Sequence, residues 1–288
     1  MGSDPRHLIA EAEKKASAPA GWFGFGGPKL DEAAELYMKA GNAYKLQKQW
    51  KESGDAYRSQ ANLLIKSGER DEAVSAFLNA AKSYKKVVPL EYITVLESAV
   101  SILIEKGRFS AAASNQKLIA EVYETEIGDI KAARDAYEKA GEWYQGEEAN
   151  ASADGCFIKA ATFAAQLEDF EAALSMIEDV ASRCVDHKLT KWSLKEYFFK
   201  AGIILLNIGD VVRVRTSLER YCGMDLSFRD QREYKFILKL ADAFEAGDVE
   251  GFTNSVVEFD RFSTLDPWKT ALLLRVKKSI GEEDEDLT

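Results

Sequence analysis

The side chains that most often ligate metals or act as nucleophiles are scarce in this sequence. It has two histidines, His7 and His187, and three cysteines, Cys156, Cys184 and Cys222. They are widely separated, so no zinc-ligand spacing and no paired-cysteine motif is present. We therefore predict no metal site, and we interpret the cysteines as reduced residues of a hydrophobic core.

Carboxylates and one glycine-rich segment are the remaining features from which an active site could be built. The 48 Asp and Glu residues are typical of a solvated acidic surface. The glycines at 24–27 follow no predicted strand and lead into Pro28, not into the Lys-Ser or Lys-Thr of a phosphate-binding loop. We predict no catalytic residue and no cofactor. An enzyme stays open as an alternative, and its mark would be turnover by the purified chain alone.

The composition restricts the partners and the compartment. A net charge of −10 argues against nucleic acid as a partner, because phosphate binding needs clustered Lys and Arg. No apolar run approaches the roughly 18 to 20 residues that span a bilayer, and the first residues lack the apolar block of a secretory signal. We expect a cytoplasmic protein.

Two segments have the chemistry of binding sites. In GWFGFGG, at 21–27, the aromatics Trp22, Phe23 and Phe25 stand among four glycines, on a backbone too loose to bury them. The chain ends in GEEDEDLT, where Leu287 is the only aliphatic residue among carboxylates.

The rest of the chain carries a helical repeat that must position these segments. LDEAAELYMKAGNAY from Leu30 aligns with RDEAVSAFLNAAKSY from Arg70, 40 residues later; a further copy in the same register begins at Lys131 and a weaker one at Glu171. The shared small and aromatic residues are three, four and seven positions apart, which places them on one face of an α-helix. Gly and Asp separate the periodic runs, as helix caps do.

This pattern predicts an all-α fold. Helix pairs at a fixed period stack into a solenoid, so we predict a twisted solenoid of tetratricopeptide-like helical hairpins at 1–226. The rhythm then changes, and three further helices are predicted at 228–246, 249–262 and 267–280. They would form a C-terminal helical bundle with an acidic tail, at 227–288, that caps the solenoid.

Several segments of unusual sequence resemble one known family in the right order. The chain is similar, from EAEKK near its start to its penultimate leucine, to the soluble NSF-attachment proteins of the alpha type. The segments that carry the resemblance are GWFGFGG, GRFSAAA, EVYETEIGD, EKAGEWYQGEEANASADGCFIKAA, SLKEYFFKAG and LDPWKTALLLRVKKSIGEEDEDLT.

The resemblance implies a non-catalytic adaptor and peripheral membrane protein. Members coat a four-helix SNARE bundle in several copies, recruit the hexameric AAA+ ATPase NSF, and stimulate its ATP hydrolysis so that the bundle is pulled apart. In the family the loop that corresponds to 21–28 attaches to membrane lipid, which would give Trp22, Phe23 and Phe25 a function.

The resemblance also assigns charged binding residues. Arg108 and Lys159 coincide with basic positions that the family uses against the SNARE bundle, and Lys117 is a further candidate. Ser114 and Gly155 stand where related members carry lysine. We therefore expect small effects from single charges, shared with neighbours, which are Lys82 and Lys85.

For the ATPase, the resemblance assigns acidic residues and the tail. Asp242 and Glu245 match acidic positions that face NSF, Asp210 is a weaker match, and a third such position is Ala246 here. Leu287 matches the penultimate leucine tied to stimulation of ATP hydrolysis. The alternative within the binding class is a repeat scaffold that holds a peptide in its groove, which would not depend on Leu287.

Overall fold

The computed structural model describes residues 4–18, 29–185 and 191–285. Every regular element in these ranges is helical, which confirms the all-α prediction. The α-helices are α1 (Pro5–Ala16), α2 (Leu30–Leu46), α3 (Trp50–Ser67), α4 (Arg70–Tyr84), α5 (Pro89–Glu105), α6 (Phe109–Val122), α7 (Ile130–Gly146), α8 (Asn150–Gln166), α9 (Phe170–Val185), α10 (Leu194–Ile208), α11 (Val211–Met224), α12 (Arg232–Glu245), α13 (Val249–Phe262) and α14 (Pro267–Glu285).

The chain divides into two compact units, Met1–Ala153 and Asp154–Thr288. The sequence predicts a different boundary, with a solenoid at 1–226 and a C-terminal bundle at 227–288, and that boundary stays a prediction. Within the first unit, each helix from α1 to α6 packs against the next one along the chain. From α2 to α6, short turns between packed neighbours make successive antiparallel hairpins, the arrangement that the repeat predicts.

The repeated small residues are the contact points between these helices. Alanine at the repeat positions lets neighbouring helices approach closely. All of them are fully buried: Ala33, Ala40, Ala73, Ala80, Ala120, Ala133, Ala140, Ala160 and Ala173. The aromatic residue beside them fills the groove, as Phe77 and Tyr137 show by their burial. The helical period therefore predicts correctly which of these residues are buried in the core.

One close approach in the first unit depends on a glycine. A Cβ atom at Gly54 of α3 would lie 2.5 Å from a ring carbon of Tyr84 on α4. The ring of Tyr84 is fully buried, and its hydroxyl donates a hydrogen bond of 2.6 Å to Asp55. The missing side chain at Gly54 thus admits the ring that joins the two helices.

The core of the second unit surrounds α10. This helix packs against α9, α11, α12 and α14, and it is apolar on nearly all sides, as a central helix must be. Its Phe198 stacks on Tyr221 of α11 with ring centroids 4.7 Å apart and meets Phe228 edge-on at 5.1 Å. Its Phe199 packs against Phe259 of α13 at 5.3 Å.

Two of the predicted C-terminal helices have different limits in the structure. Residues 226–230 form a short 3-10 turn, and α12 begins only at Arg232, because Asp225 accepts from the backbone N–H of Ser227 and fixes a separate turn. Helix α14 continues beyond the predicted end at Ile280 to Glu285. The prediction for α13 is confirmed at both ends.

The cysteines lie where the sequence predicts them. Cys156, Cys184 and Cys222 belong to the described part of the chain, and all three are buried thiols. Among the described residues, no group of three or more His, Cys, Asp or Glu is arranged to hold a metal ion. The same residues include no helix that is long and apolar enough to cross a membrane.

Candidate binding surfaces

Four of the predicted site residues, Trp22, Phe23, Phe25 and Leu287, lie outside the described residues. The flanks of the aromatic segment are described, however. The backbone N–H of Lys29 donates to the carbonyl oxygen of Lys15 at 3.2 Å. The chain therefore leaves α1 and returns to α2 at nearly the same point.

Two salt bridges hold the end of α1 and the start of α2 together. Glu32 accepts hydrogen bonds from the ammonium groups of Lys15 at 2.6 Å and Lys29 at 2.9 Å. These two bonds lower the pKa of Glu32 to about 2, so the carboxylate stays charged at any physiological pH. Both ends of 19–28 are thus fixed to one pair of helices.

The first basic candidate, Arg108, immediately precedes α6. Its backbone N–H donates to Leu103 at 2.8 Å, in a turn where Gly107 has a φ of 68°. Its guanidinium lies 3.6 Å from the carboxylate of Asp71 on α4, and Lys106 also bonds that carboxylate. The Lys106 hydrogen bond and both positive charges lower the pKa of Asp71. One carboxylate is shared by two cations, which leaves a net positive patch.

Lys117, a further basic candidate of the first unit, lies farther along α6. Its side chain is exposed, as are those of Ser110 and Ser114, and the three positions follow each other at helical spacing on one face. Within the described residues Lys117 takes part in no hydrogen bond or ion pair. Arg108 therefore stands at the start of α6 and Lys117 within it, and the face of Lys117 carries serine where a further lysine would add positive charge.

Lys159 lies on α8 in the second unit, exposed and one turn after the exposed Gly155. The structure places it near Lys200 of α10, a lysine that the sequence analysis did not select. Burial lowers the pKa of Lys200, and the positive charges of Lys269 and Lys159 lower it further, against the field of Glu196. A second basic patch therefore includes a partly desolvated ammonium group.

The surroundings of Lys200 explain why it was missed. Its ammonium lies 5.1 Å from the ring centroid of Trp268 on α14, and the Trp268 indole donates to the carbonyl of Thr162 on α8 at 2.9 Å. The nearby Lys269 is nearly buried between Glu196 and Asp266, at 2.7 Å from each. Residues from three helices meet here, and the only sequence signal was the unusual tetrapeptide DPWK.

The acidic candidates Asp242 and Glu245 are brought together at the end of α12. Both are more than half exposed, and both bond one guanidinium, that of Arg215 on α11, at 2.9 and 2.5 Å. Sequence reasoning missed Arg215, because a contact between two helices leaves no periodic signal. The pair therefore presents a partly neutralised acidic surface.

Asp210, the weaker acidic candidate, has a structural task. It caps α11 by accepting the backbone N–H of Arg213 at 2.8 Å, and an N-cap carboxylate is also favoured by the helix dipole. It forms no ion pair with Arg215 among the described contacts. Ala246, the departure from the acidic pattern, is exposed directly after α12.

Comparison with known proteins identifies a family match over almost the entire chain. The family model described as soluble NSF attachment protein, SNAP, matches residues 3–281. The match includes both units and every charged candidate described above.

Curated relatives match along their whole length. A probable vesicular-fusion protein sec17 homolog of Schizosaccharomyces pombe is 39% identical over all of both chains. The bovine beta-soluble NSF attachment protein is 41% identical, with 97% of this chain and 96% of that protein covered. The human alpha-soluble NSF attachment protein is 39% identical at the same coverage.

Proposed function

The chain belongs to the soluble NSF attachment protein family, and on this ground we propose that it is a non-catalytic adaptor in SNARE complex disassembly. Relatives named as vesicular-fusion proteins support a role in vesicle fusion. In this proposal several copies bind one assembled SNARE bundle, recruit the AAA+ ATPase NSF and stimulate its ATP hydrolysis. The full-length match to these relatives is the observation that carries the proposal.

A direct test uses purified NSF, a soluble SNARE bundle and this chain. We expect NSF to sediment with the bundle only when the chain is present, and phosphate release to rise above the rate of NSF alone. Neither recruitment nor stimulation would contradict the adaptor function. Binding of an extended peptide by the same chain would then favour the scaffold alternative.

The basic patches support contact with an acidic helical bundle. The patch of Arg108 and Lys106 and the patch around Lys159 and Lys200 lie in different units of a chain with a net charge of −10, and Lys117 adds a positive charge on α6. Local positive charge on an acidic protein steers an acidic partner to those positions and repels it elsewhere. We assign the SNARE contact to these two patches.

Reversing one charge in each patch tests this assignment. We expect the Arg108→Glu, Lys159→Glu variant to bind a soluble SNARE bundle at least about tenfold more weakly at physiological salt. Each reversal places a carboxylate against the acidic surface of the bundle, where like charges repel. Equilibrium binding of the labelled bundle measures the change. The matched control reverses the exposed Lys66 and Lys278, which again alters one charge in each unit.

The control separates local from global charge. The two variants have the same net charge, so equal weakening would show that only overall charge matters and would remove Arg108 and Lys159 from the interface. Thermal unfolding of both variants verifies that they remain folded. We expect this result because all four substituted side chains are exposed, and substitutions at exposed positions usually change stability little.

The aromatic segment supports attachment at the cytosolic face of a membrane. Full burial of one such side chain is worth about 1.5 to 3 kcal/mol, so three partly inserted rings add a modest contact. A modest contact becomes effective when the SNARE bundle is anchored in the same bilayer, because the effective concentration is high. The salt bridges of Glu32 with Lys15 and Lys29 would keep both ends of the segment at α1 and α2.

Replacing the aromatics with serine tests the membrane contact. We expect the Trp22→Ser, Phe23→Ser, Phe25→Ser variant to disassemble liposome-anchored SNARE bundles at least about fivefold more slowly, with disassembly of soluble bundles nearly unchanged. Parallel assays on the two substrates measure both rates. An equal loss on soluble bundles would show that the segment is structural.

A further inference from the structure

The second unit contains a cleft that the proposed function does not use. It lies between α12 and α13 and has a volume of about 230 Å³. This is below the roughly 300 to 1,000 Å³ of small-molecule sites, so the cleft suits one or two side chains of a peptide. Its apolar lining comes from Phe236, Phe259 and Phe262.

The apolar lining is unusually open to solvent at one position. Phe262, the last residue of α13, is 70% exposed. Phe236 and Phe259 are buried and stack with ring centroids 4.2 Å apart, so they form a rigid floor. An exposed aromatic beside a fixed apolar floor is typical of a binding site for an aliphatic side chain.

The rim of the cleft is basic. Arg232, Lys235 and Lys239 line it at helical spacing on α12. Only Lys239 has a carboxylate partner within the described residues, Glu258 at 3.1 Å. The Arg232 guanidinium lies 5.3 Å from the ring centroid of Phe262. Two cations are therefore available to a ligand at the edge of an apolar floor.

We propose that this cleft binds the acidic C-terminal segment, GEEDEDLT at 281–288, of a second copy of the chain. The segment contains five consecutive carboxylates followed by Leu287. Its carboxylates are complementary to Arg232 and Lys235, and its leucine is complementary to the aromatic floor. No other stretch of eight residues in the sequence combines this charge density with a single aliphatic side chain.

The course of α14 favours a second copy as the source. Near its start, Lys269 bonds Glu196 of α10 at 2.7 Å. The neighbouring Lys195 bonds Glu233 at 3.1 Å, and Glu233 follows Arg232 of the cleft. These contacts place the start of α14 at the cleft end of the unit.

The far end of α14 is distant from that start. The helix has 19 residues and is about 28 Å long at 1.5 Å per residue. The three residues beyond it, 286–288, span at most about 10 Å. The tail of the same copy therefore emerges too far away, whereas the tail of a neighbour has no such restriction.

The contact is weak and depends on local concentration. A short peptide that inserts one aliphatic side chain into a small cleft is expected to bind weakly, because most of the gain offsets the cost of ordering the peptide. Copies held side by side reach millimolar effective concentrations. If the adaptor function proposed above holds, neighbouring copies would cover each other's Leu287 until the ATPase displaces it.

The experiment titrates the full-length chain into a fluorescein-labelled peptide of sequence GEEDEDLT and measures anisotropy. Two changes are expected to weaken binding at least about fivefold: Arg232→Glu with Lys235→Glu in the chain, and alanine in place of leucine in the peptide. Raising the salt from about 25 to 150 mM is expected to weaken it further. The control chain carries Lys45→Glu and Lys66→Glu, two exposed lysines of the first unit.

Three results would overturn the proposal. They are equal weakening by the control chain, equal binding of the alanine peptide, and at least fivefold tighter binding to a chain with Leu287→Ala, which would show that each tail occupies its own cleft. The assay contains neither SNARE proteins nor NSF. A negative result in this peptide assay therefore does not contradict the adaptor function. A negative result in the NSF assay likewise does not contradict binding of the tail to the cleft.

Discussion

The Leu287→Ala variant is expected to retain less than about one fifth of the wild-type stimulation of NSF ATP hydrolysis. Leu287 is the only aliphatic side chain among the last seven residues. Its burial against a partner is worth about 1.5 to 3 kcal/mol, a factor of about 10 to 100. The neighbouring carboxylates are expected mainly to steer the tail, since an ion pair at a protein surface contributes little to affinity. Phosphate release by NSF with a SNARE bundle measures the effect.

Recruitment is measured in the same samples. The variant is expected to bring NSF to the bundle nearly as well as wild type, because the acidic residues that the family resemblance assigns to NSF binding, Asp242 and Glu245, remain in place. Thr288→Ala, one residue later, is the matched control and should stimulate normally. Full stimulation by Leu287→Ala would remove the residue from activation, and a parallel loss of recruitment would assign it to binding instead.

The Phe198→Ala variant is expected to lose most of the stability of the second unit. Phe198 is 1% exposed, and its removal leaves a cavity between Tyr221 and Phe228. Such a change costs about 3 to 5 kcal/mol, and the loss of the stacked pair adds to it. Typical domains unfold at a cost of only 5 to 15 kcal/mol. Hydrogen exchange along α10 to α12 in increasing urea measures the loss.

The chain supplies two controls for this prediction. Phe262→Ala removes the same side chain from an exposed position and should change the free energy of unfolding by less than about 0.5 kcal/mol. Protection of α2 to α5, in the first unit, should change little, because local stability follows cooperative units. Equal loss of protection in both units would show that they unfold together.

The sequence predicts the core of this fold better than its surfaces. Alanines at the repeat positions were recognisable because helix packing requires a small residue at every close approach, and that requirement recurs with the repeat. Ala40, Ala80 and Ala140 are fully buried accordingly. Helix ends at glycine and aspartate were also predictable, because capping depends on the residues at the helix end itself.

The charged surfaces depended on contacts between distant parts of the chain. Nothing near Lys200 in the sequence indicates Trp268, and nothing near Asp242 indicates Arg215. The resemblance selected Arg108, Lys159, Asp242 and Glu245 as charges, but not the residues that set their environment. The start of α12 was also not predicted, because the Asp225 side chain accepts two hydrogen bonds from Ser227 and fixes a separate turn before the helix.

The pairing of Arg215 with Asp242 and Glu245 changes the nature of any docking at this surface. A basic partner does not meet two bare carboxylates, because the Arg215 guanidinium already bonds one oxygen of each. A docking cation therefore shares the pair with Arg215 and meets one uncompensated negative charge, not two. The oxygens that remain free favour a partner whose donors fit them, for example an arginine in a bidentate geometry. The surface would discriminate among cationic partners by shape as well as by charge.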